Sequence, residues 1–123
     1  MEGWHIPSDS EWKELEVFLG MCLGGENEYV SEEGCVDNKG YRGSNEGFKL
    51  ITNEFNASLA GYRNKDNGNW VGFNTEAYYW SSTYNQVNND TYLYQRFLST
   101  QRDDIYRNNW NEGHGMSVRC VKD

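Results

Sequence analysis

Two histidines are the residues of this sequence best suited to acid–base catalysis, and they lie at opposite ends of the chain. His5 sits between Trp4 and Ile6, which favours a packing or capping role. His114 sits between two glycines, which favours an exposed loop position. Nucleophilic catalysis needs a base that a third group orients, and no spacing in the chain supports such a set. The sequence therefore predicts that the protein is not an enzyme.

Acidic pairs and oxygen-rich runs could bind a metal ion. The pairs at 32–33 and 103–104 could serve acid–base chemistry or Ca²⁺ binding, but consecutive acids in a polar loop are far more often simply solvated. No EF-hand spacing occurs. The Asn-rich run 64–69 carries oxygen ligands, yet a plain turn is the stronger interpretation. We predict no metal and no cofactor.

Three cysteines, Cys22, Cys35 and Cys120, lack the close spacing of a zinc site. Cys22 and Cys35 lie on either side of a Gly-rich stretch and could form a disulfide if the protein is exported. Three buried thiols would fit the sequence equally well. Because the number of cysteines is odd, at least one is free or paired outside the chain.

The interval from Ser81 to Gly115 is rich in Tyr, Asn and Trp, a mixture that suits recognition. Tyr and Trp bring a large contact area at low entropic cost, while Asn and Ser adapt their hydrogen bonds, as in antibody paratopes. Aromatic rings also stack on sugar faces, and amides bond to hydroxyls. A long loop with packed tyrosines and turn-forming asparagines would have the same composition, so both interpretations stand.

Composition and charge define the kind of protein that carries this interval. A length of 123 residues suits one domain over residues 1–123, and an aromatic fraction of 15% argues against disorder. The net charge of −8 disfavours nucleic acid as a partner, because phosphates are repelled. No apolar run reaches the length of a membrane span, and no signal-peptide pattern opens the chain.

A helix over about residues 9–19 is the clearest element that the sequence predicts. Ser8 can cap it, and Glu11 follows three residues later in the arrangement of a capping box. Gly20 offers a stop. Its predicted apolar stripe consists of Trp12, Leu15, Phe18 and Leu19.

Short antiparallel strands and long polar loops are predicted for the rest of the chain. Residues 24–44 are predicted to form a loop, and residues 47–51 form a short apolar run. Residues 55–63 should form an ordered segment with a strand-like end, and residues 64–69 a hairpin-type turn. The strand candidates are 77–83, 91–98, 105–107 and 116–121. In the last of them Met116, Val118 and Cys120 should share a mostly buried face. One helix followed by several strands is an α+β pattern.

Five stretches, in this order and spacing, resemble one family of bacterial domains. They are residues 3–12 (GWHIPSDSEW), 45–50 (NEGFKL), 59–64 (LAGYRN), 79–83 (YWSST) and 115–123 (GMSVRCVKD). The chain resembles the Fibrobacter succinogenes major paralogous domain, which is abundant in surface and exported proteins of gut and rumen bacteria. That family is similar to the C-type-lectin-like superfamily, which includes formylglycine-generating enzymes and variable proteins diversified by retroelements.

The resemblance implies a C-type-lectin-like α+β domain with a recognition surface near its C-terminus. In retroelement-diversified members the variable region lies between a Trp-Ser-Ser-like and an Arg-Cys-Val-like element, which here is the interval from Trp80 to Arg119. Asn codons are favoured targets of diversification, and the interval is full of their products. A fixed Asn-rich loop would give the same composition.

Framework residues of the family are excluded from the predicted contact set. They are Arg96, Phe97, Leu98, Ile105, Arg107 and Gly115. The ligand-binding residues that remain are Tyr84, Asn85, Asn88, Asn89, Tyr92, Tyr94, Asp104, Tyr106, Asn108, Trp110 and His114.

Departures from the family and superfamily patterns bear on function. Family members usually carry a further segment before the Gly-Trp-His motif, and its absence predicts an open sheet edge and homo-oligomerisation. The Glu-Pro-Asn and Trp-Asn-Asp motifs of Ca²⁺-dependent lectins do not occur. The cysteine pair expected of a formylglycine-generating enzyme is missing near the C-terminus.

We therefore predict a non-enzymatic binding or display domain that is secreted, or lies at a cell surface or on a phage virion. Its partner would be an extracellular protein or carbohydrate, and its surface could be diversified by a retroelement. One alternative is a structural domain of a surface or fimbrial assembly. A formylglycine-generating type of enzyme is the other, and the missing cysteine pair disfavours it.

Overall fold

The computed structural model describes residues 2–22 and 35–123, so most of the predicted loop 24–44 lies outside the described residues. The described part contains two α-helices, eight strands and a short 3₁₀ turn at Cys35–Asp37. The elements are β1 (Trp4–His5), α1 (Asp9–Phe18), β2 (Gly40–Arg42), α2 (Glu46–Thr52), β3 (Tyr62–Arg63), β4 (Trp70–Val71), β5 (Glu76–Val87), β6 (Asp90–Ser99), β7 (Arg102–Asn111) and β8 (Val121–Lys122).

A four-stranded antiparallel sheet in the order β2-β7-β6-β5 forms the centre of the fold. Two small antiparallel pairs, β1 with β8 and β3 with β4, flank it. The α+β class is thereby confirmed. The expectation of only short strands is wrong, because β5, β6 and β7 have 12, 10 and 10 residues. Much of the interval interpreted as polar loop is therefore strand.

Helix α1 begins as predicted, because Ser8 and Glu11 form the capping box. The Ser8 hydroxyl accepts from the Glu11 backbone N–H, and the Glu11 carboxylate accepts from the Ser8 N–H at 2.8 Å. The predicted apolar stripe is only partly right. Trp12 is 2% exposed, but Phe18 is 85% exposed, and Glu16 is buried in its place among arginines of the sheet.

Helix α2 is a second helix where the sequence predicted only a short apolar run. The Glu46 carboxylate accepts from the backbone N–H groups of Ser44 and Asn45 at 2.7 and 3.1 Å, which satisfies two donors at the helix start. Gly47 lies against β7 so closely that a Cβ there would overlap the Asp104 carbonyl oxygen. This contact brings the helix axis close to the sheet.

The hydrophobic core lies between the two helices and one face of the central sheet. Most of its buried side chains come from α1, α2 and three strands of that sheet. Among them are Trp12, Leu50, Ala77, Tyr79, Leu98 and Ile105. Leu98 faces the core together with its cross-strand partner Ala77.

The C-terminal segment is mostly not the strand that the sequence predicted. Only Val121–Lys122 forms a strand, and it pairs with β1. Ser117 instead bridges to Tyr79 in parallel, at the edge of β5. Val118 is 49% exposed, so the expected buried face of Met116, Val118 and Cys120 does not form.

Candidate ligand-binding face

Strands β5, β6 and β7 place alternate side chains on two faces, one against the helices and one open. Directly paired residues of neighbouring antiparallel strands share a face. Tyr41 pairs with Tyr106. Tyr106 pairs with Phe97, and Phe97 pairs with Tyr78, so one row of rings crosses all four strands. Successive ring centroids in this row are 4.8, 6.3 and 4.7 Å apart.

Three further rings extend this row beside β5. The Tyr62 ring lies 4.9 Å from Tyr78 and 5.0 Å from Trp110, measured between centroids. The Trp110 ring lies 4.3 Å from the imidazole of His114. We call the seven connected rings the aromatic face, which consists of Tyr41, Tyr62, Tyr78, Phe97, Tyr106, Trp110 and His114.

An open depression of about 500 Å³ lies on the aromatic face. This volume falls within the range of about 300–1,000 Å³ that is usual for small-molecule sites. Its lining offers rings, phenols and amides and carries no ionised side chain. The lining residues are Tyr41, Tyr78, Gln95, Phe97, Tyr106, Asn108, Asn109 and Trp110.

Amide side chains supply much of the polar lining of the depression. Asn108 donates through Nδ2 to the Tyr106 hydroxyl at 3.3 Å. Gln95 pairs with Trp80 on one side and Asn108 on the other. Gln95 is only 3% exposed, and its Oε1 accepts no hydrogen bond from the residues that the structure describes. A residue that lines the depression thus carries a buried amide oxygen to which no described group donates.

His114 is buried, with 6% of its surface exposed, so the expected exposed loop position is wrong. Its Nδ1 accepts from the backbone N–H of Lys65 at 3.3 Å, and its carbonyl oxygen accepts from Trp80 Nε1 at 3.3 Å. Burial lowers the His114 pKa, and the neighbouring Lys65 charge lowers it further. The imidazole is therefore a neutral packing group beside Trp110.

Ionised side chains share the opposite side of the sheet with the hydrophobic core, where α1 packs. Asp9 forms ion pairs with Arg107 and Arg96 at 2.7 and 2.8 Å. Arg96 also pairs with Glu16, which pairs with Arg42. Burial alone would raise the Asp9 pKa, but the guanidiniums of Arg107 and Arg96 outweigh it and hold this pKa well below its usual range. This network joins the helix to the sheet.

Three of the predicted site residues lie on this charged side, away from the depression. Asn85 accepts from Asn109 Nδ2 at 2.9 Å, and Tyr92 pairs with Asn85 across the strands. The Tyr94 ring centroid lies 4.4 Å from the Arg107 guanidinium carbon. Tyr94 thus packs on the buried ion-pair network, whereas Asn85 is exposed.

The residues predicted to bind a ligand consequently do not form one surface. Asn88 and Asn89 are exposed at the tip of the β5–β6 hairpin. Asp104 is bound to Arg102 at 2.7 Å. Tyr84 is 64% exposed and shares the face of Trp110 through their common partner Leu93. The structure brings together on the aromatic side Tyr84, Tyr106, Asn108, Trp110 and His114.

Comparison with known families confirms the resemblance that the sequence motifs indicated. The model of the Fibrobacter succinogenes major domain matches residues 2–122. The chain belongs to this family. No curated protein and no solved structure matches the chain.

Several residues of the site in this Fibrobacter succinogenes major domain were missed by sequence reasoning. Tyr41 lay in a segment interpreted as loop, and Tyr62 stands far from the C-terminal interval. Tyr78 was assigned to a strand but not to the site. Phe97 was excluded as a framework residue, yet it is central in the row of rings. Gln95 and Phe97 alternate with Arg96, which is buried on the other face. This alternation was the signal that could have placed Gln95 and Phe97 together on the open face.

Two further observations concern metals and membranes. Within residues 2–22 and 35–123, no three His, Cys, Asp or Glu side chains are grouped so that they could hold a metal ion. Neither described helix is long and apolar enough to cross a membrane.

Proposed function

We propose that this domain is a non-enzymatic binding module that recognises an extracellular ligand through its aromatic face. The observation that carries the proposal is the continuous set of seven rings, five of which line an uncharged depression of about 500 Å³. Tyr and Trp dominate binding hot spots because they bury a large area for little lost entropy.

The position of these rings on strands supports a binding role. Most of them stand on β5, β6 and β7, whose side chains on the other side are fixed by the ion-pair network and the core. A ligand would therefore meet a surface that is already arranged. Pre-organisation reduces the entropy lost on binding.

The disulfide between Cys22 and Cys35 supports a secreted or cell-surface location. Structural disulfides persist in oxidising compartments and are rare in the cytosol. Cys120 is free in the structure. We extend the proposal accordingly to a secreted or cell-surface protein, with a phage virion as the alternative location.

A C-type-lectin-like fold and diversification by a retroelement also belong to this proposal. The family resemblance supports both, as does the abundance of Asn and Tyr between Trp80 and Arg119. A reverse-transcriptase gene beside the coding sequence, together with a near-copy of its 3′ segment that differs at adenines, would support diversification. A genome that carries neither would contradict it.

The binding role can be tested on an array of glycans and extracellular proteins probed with the purified chain. Trp110→Ala and Tyr41→Ala should each weaken binding to any ligand found by about tenfold or more. Trp70→Ala is the matched control, because Trp70 is 65% exposed on β4 and does not line the depression. Far-ultraviolet circular dichroism checks that each variant folds.

The outcome is decisive in both directions. Loss of binding in both aromatic-face variants, with retention in Trp70→Ala, supports the proposal. Equal binding by the wild-type chain and the Tyr41 and Trp110 variants would show that the ligand contacts another surface.

A second candidate function is self-assembly in a surface structure. Trp70 and Phe73 are 65% and 68% exposed, and with Ala60 they line an apolar depression of about 400 Å³. Exposed apolar patches of this kind often mark protein interfaces. Light scattering coupled to size exclusion would show concentration-dependent oligomers, and Trp70→Ala should reduce them. A monomer at all concentrations would rule assembly out.

A further inference from the structure

Gln95 is a buried amide that the fold of the chain leaves unsatisfied. It is 3% exposed in the central strand pair, and its Oε1 has no hydrogen-bond donor among the described residues. Buried amide oxygens are nearly always paired, because an unpaired one loses its hydration without compensation. A side chain kept at such a cost at a candidate site points to a functional role.

The donors of its two cross-strand neighbours are directed to other acceptors. Trp80 Nε1 donates to the carbonyl oxygen of His114, and Asn108 Nδ2 donates to the Tyr106 hydroxyl. Trp80 and Asn108 are the two cross-strand partners of Gln95. Because Gln95 lines the depression and the terminal torsion of a glutamine is broad, its oxygen can turn toward a group seated there.

The chemistry of the lining limits what that group can be. None of the lining residues is ionised, although the whole chain carries a net charge of −8. A charged ligand would therefore lose hydration without gaining an ion pair from the lining, and the cations beside it are engaged, Arg102 with Asp104 and Lys39 with Asn109. Rings and amides together suit a ligand that has apolar faces and many hydroxyls, since a hydroxyl both donates and accepts.

We propose that the depression binds a neutral saccharide, with a sugar face against the aromatic rings and a sugar hydroxyl donating to the Gln95 amide oxygen. This inference rests on the proposed function and names its ligand class. Gln95 would set the specificity, because a saccharide without a hydroxyl at the matching position leaves the amide oxygen unpaired.

The test compares Gln95→Met with the wild-type chain, using neutral tetrasaccharides of glucose, mannose, galactose and xylose in titration calorimetry. Methionine fills a similar volume without the unpaired oxygen. The melting temperature should therefore rise, while affinity for the bound tetrasaccharide should fall about tenfold or more. Gln86→Met, at an exposed position of β5, is the control and should change neither quantity.

This opposition of stability and affinity separates a binding role from a structural one. A lower melting temperature with unchanged affinity in Gln95→Met would show that Gln95 is only structural and would overturn its assignment. Suppose that no neutral tetrasaccharide binds, but that a protein on the array binds the wild-type chain and not Trp110→Ala. The saccharide is then the wrong ligand class, and the proposed function stands. If no ligand depends on Tyr41 or Trp110, the proposed function fails as well.

Discussion

Asp9 is the residue on which the join between α1 and the sheet most depends. One carboxylate pairs with two guanidiniums, and both its partners and Glu16 are buried. Removing one member of a buried ion-pair network leaves the others charged and unpaired, which costs far more than losing a surface pair. Arg96 and Arg107, chosen from the family pattern as framework residues, are accordingly structural.

Asp9→Asn should lower the free energy of unfolding at pH 7 by about 3 kcal/mol, because it leaves Arg107 without its counter-charge and Arg96 with Glu16 alone. Urea denaturation measures this change. The folded pKa of Asp9 lies below its ordinary value of 3.8, so its contribution is present above that pH and is lost as the pH falls further. The difference between the two proteins should shrink in acid.

Asp37→Asn is the control for this prediction. Asp37 pairs with Lys13 at 2.6 Å, but its side chain is 64% exposed. Such pairs contribute between zero and about 1 kcal/mol. Equal losses in the two variants would mean that burial adds nothing to the Asp9 network.

Gly47→Ala should destabilise the protein although alanine is the better helix former. In an exposed helix this change would stabilise by about 1 kcal/mol. Here the added Cβ would meet the backbone of Asp103 and Asp104 in β7, so we expect a net loss of about 1–3 kcal/mol. Thermal unfolding gives the sign, and a more stable variant would contradict the close contact of α2 with β7.

At the scale of elements, one histidine ties three segments together. His5 on β1 pairs with Glu11 of α1 at 2.7 Å and with Asp123, after β8, at 2.6 Å. The hydrogen bonds to Asp123 and then Glu11 raise the His5 pKa above 6.5. These pairs agree with the packing or capping role expected from the position of His5 between Trp4 and Ile6.

His5→Gln should lower the melting temperature more at pH 5.5 than at pH 9. A raised folded pKa means that the stabilisation is fully present below pH 6.5 and is lost as the pH rises through the folded value. Melting curves of both proteins across this range measure the effect. A difference that does not depend on pH would show that packing, and not charge, is what His5 contributes.

Elements with local signals were predictable from the sequence, and the others were not. The capping box at Ser8 and Glu11 is a local signal, and it placed the start of α1 correctly. Helix α2 spans only Glu46–Thr52, too short to show a helical period. The extra length of β5 and β7 was hidden because polar residues on the open face resemble loop composition.

For the whole molecule, the disulfide is the main covalent constraint that the structure describes. Replacing Cys22 and Cys35 together by serine should lower the free energy of unfolding by about 3 kcal/mol, the value expected for a loop of similar length to their separation of 13 residues. Guanidinium denaturation without reductant measures it. Cys120→Ser removes a free thiol and is the control. A lower free energy of unfolding in Cys120→Ser alone would contradict the assignment of the stabilising disulfide to Cys22 and Cys35.

The candidate site could be predicted only in part, for reasons of topology. Tyr106, Asn108 and Trp110 stand at every second position of β7. A strand predicted over all of these residues would therefore have placed them on one face. Tyr41 and Tyr62 join them only through strand order and packing, which no local pattern encodes. The placement of Asn85 and Tyr94 on the face opposite to Trp110 likewise depends on the register of the strands.

The pleat of β6 and β7 also has a consequence for how specificity can change. Side chains that hold the fold and side chains that line the depression occupy alternate positions of the same strands. Positions 95, 97, 106, 108 and 110 can therefore vary while Arg96 and Arg107 stay unchanged. A library randomised at these positions should keep its scaffold, so one framework could present many different surfaces to its surroundings.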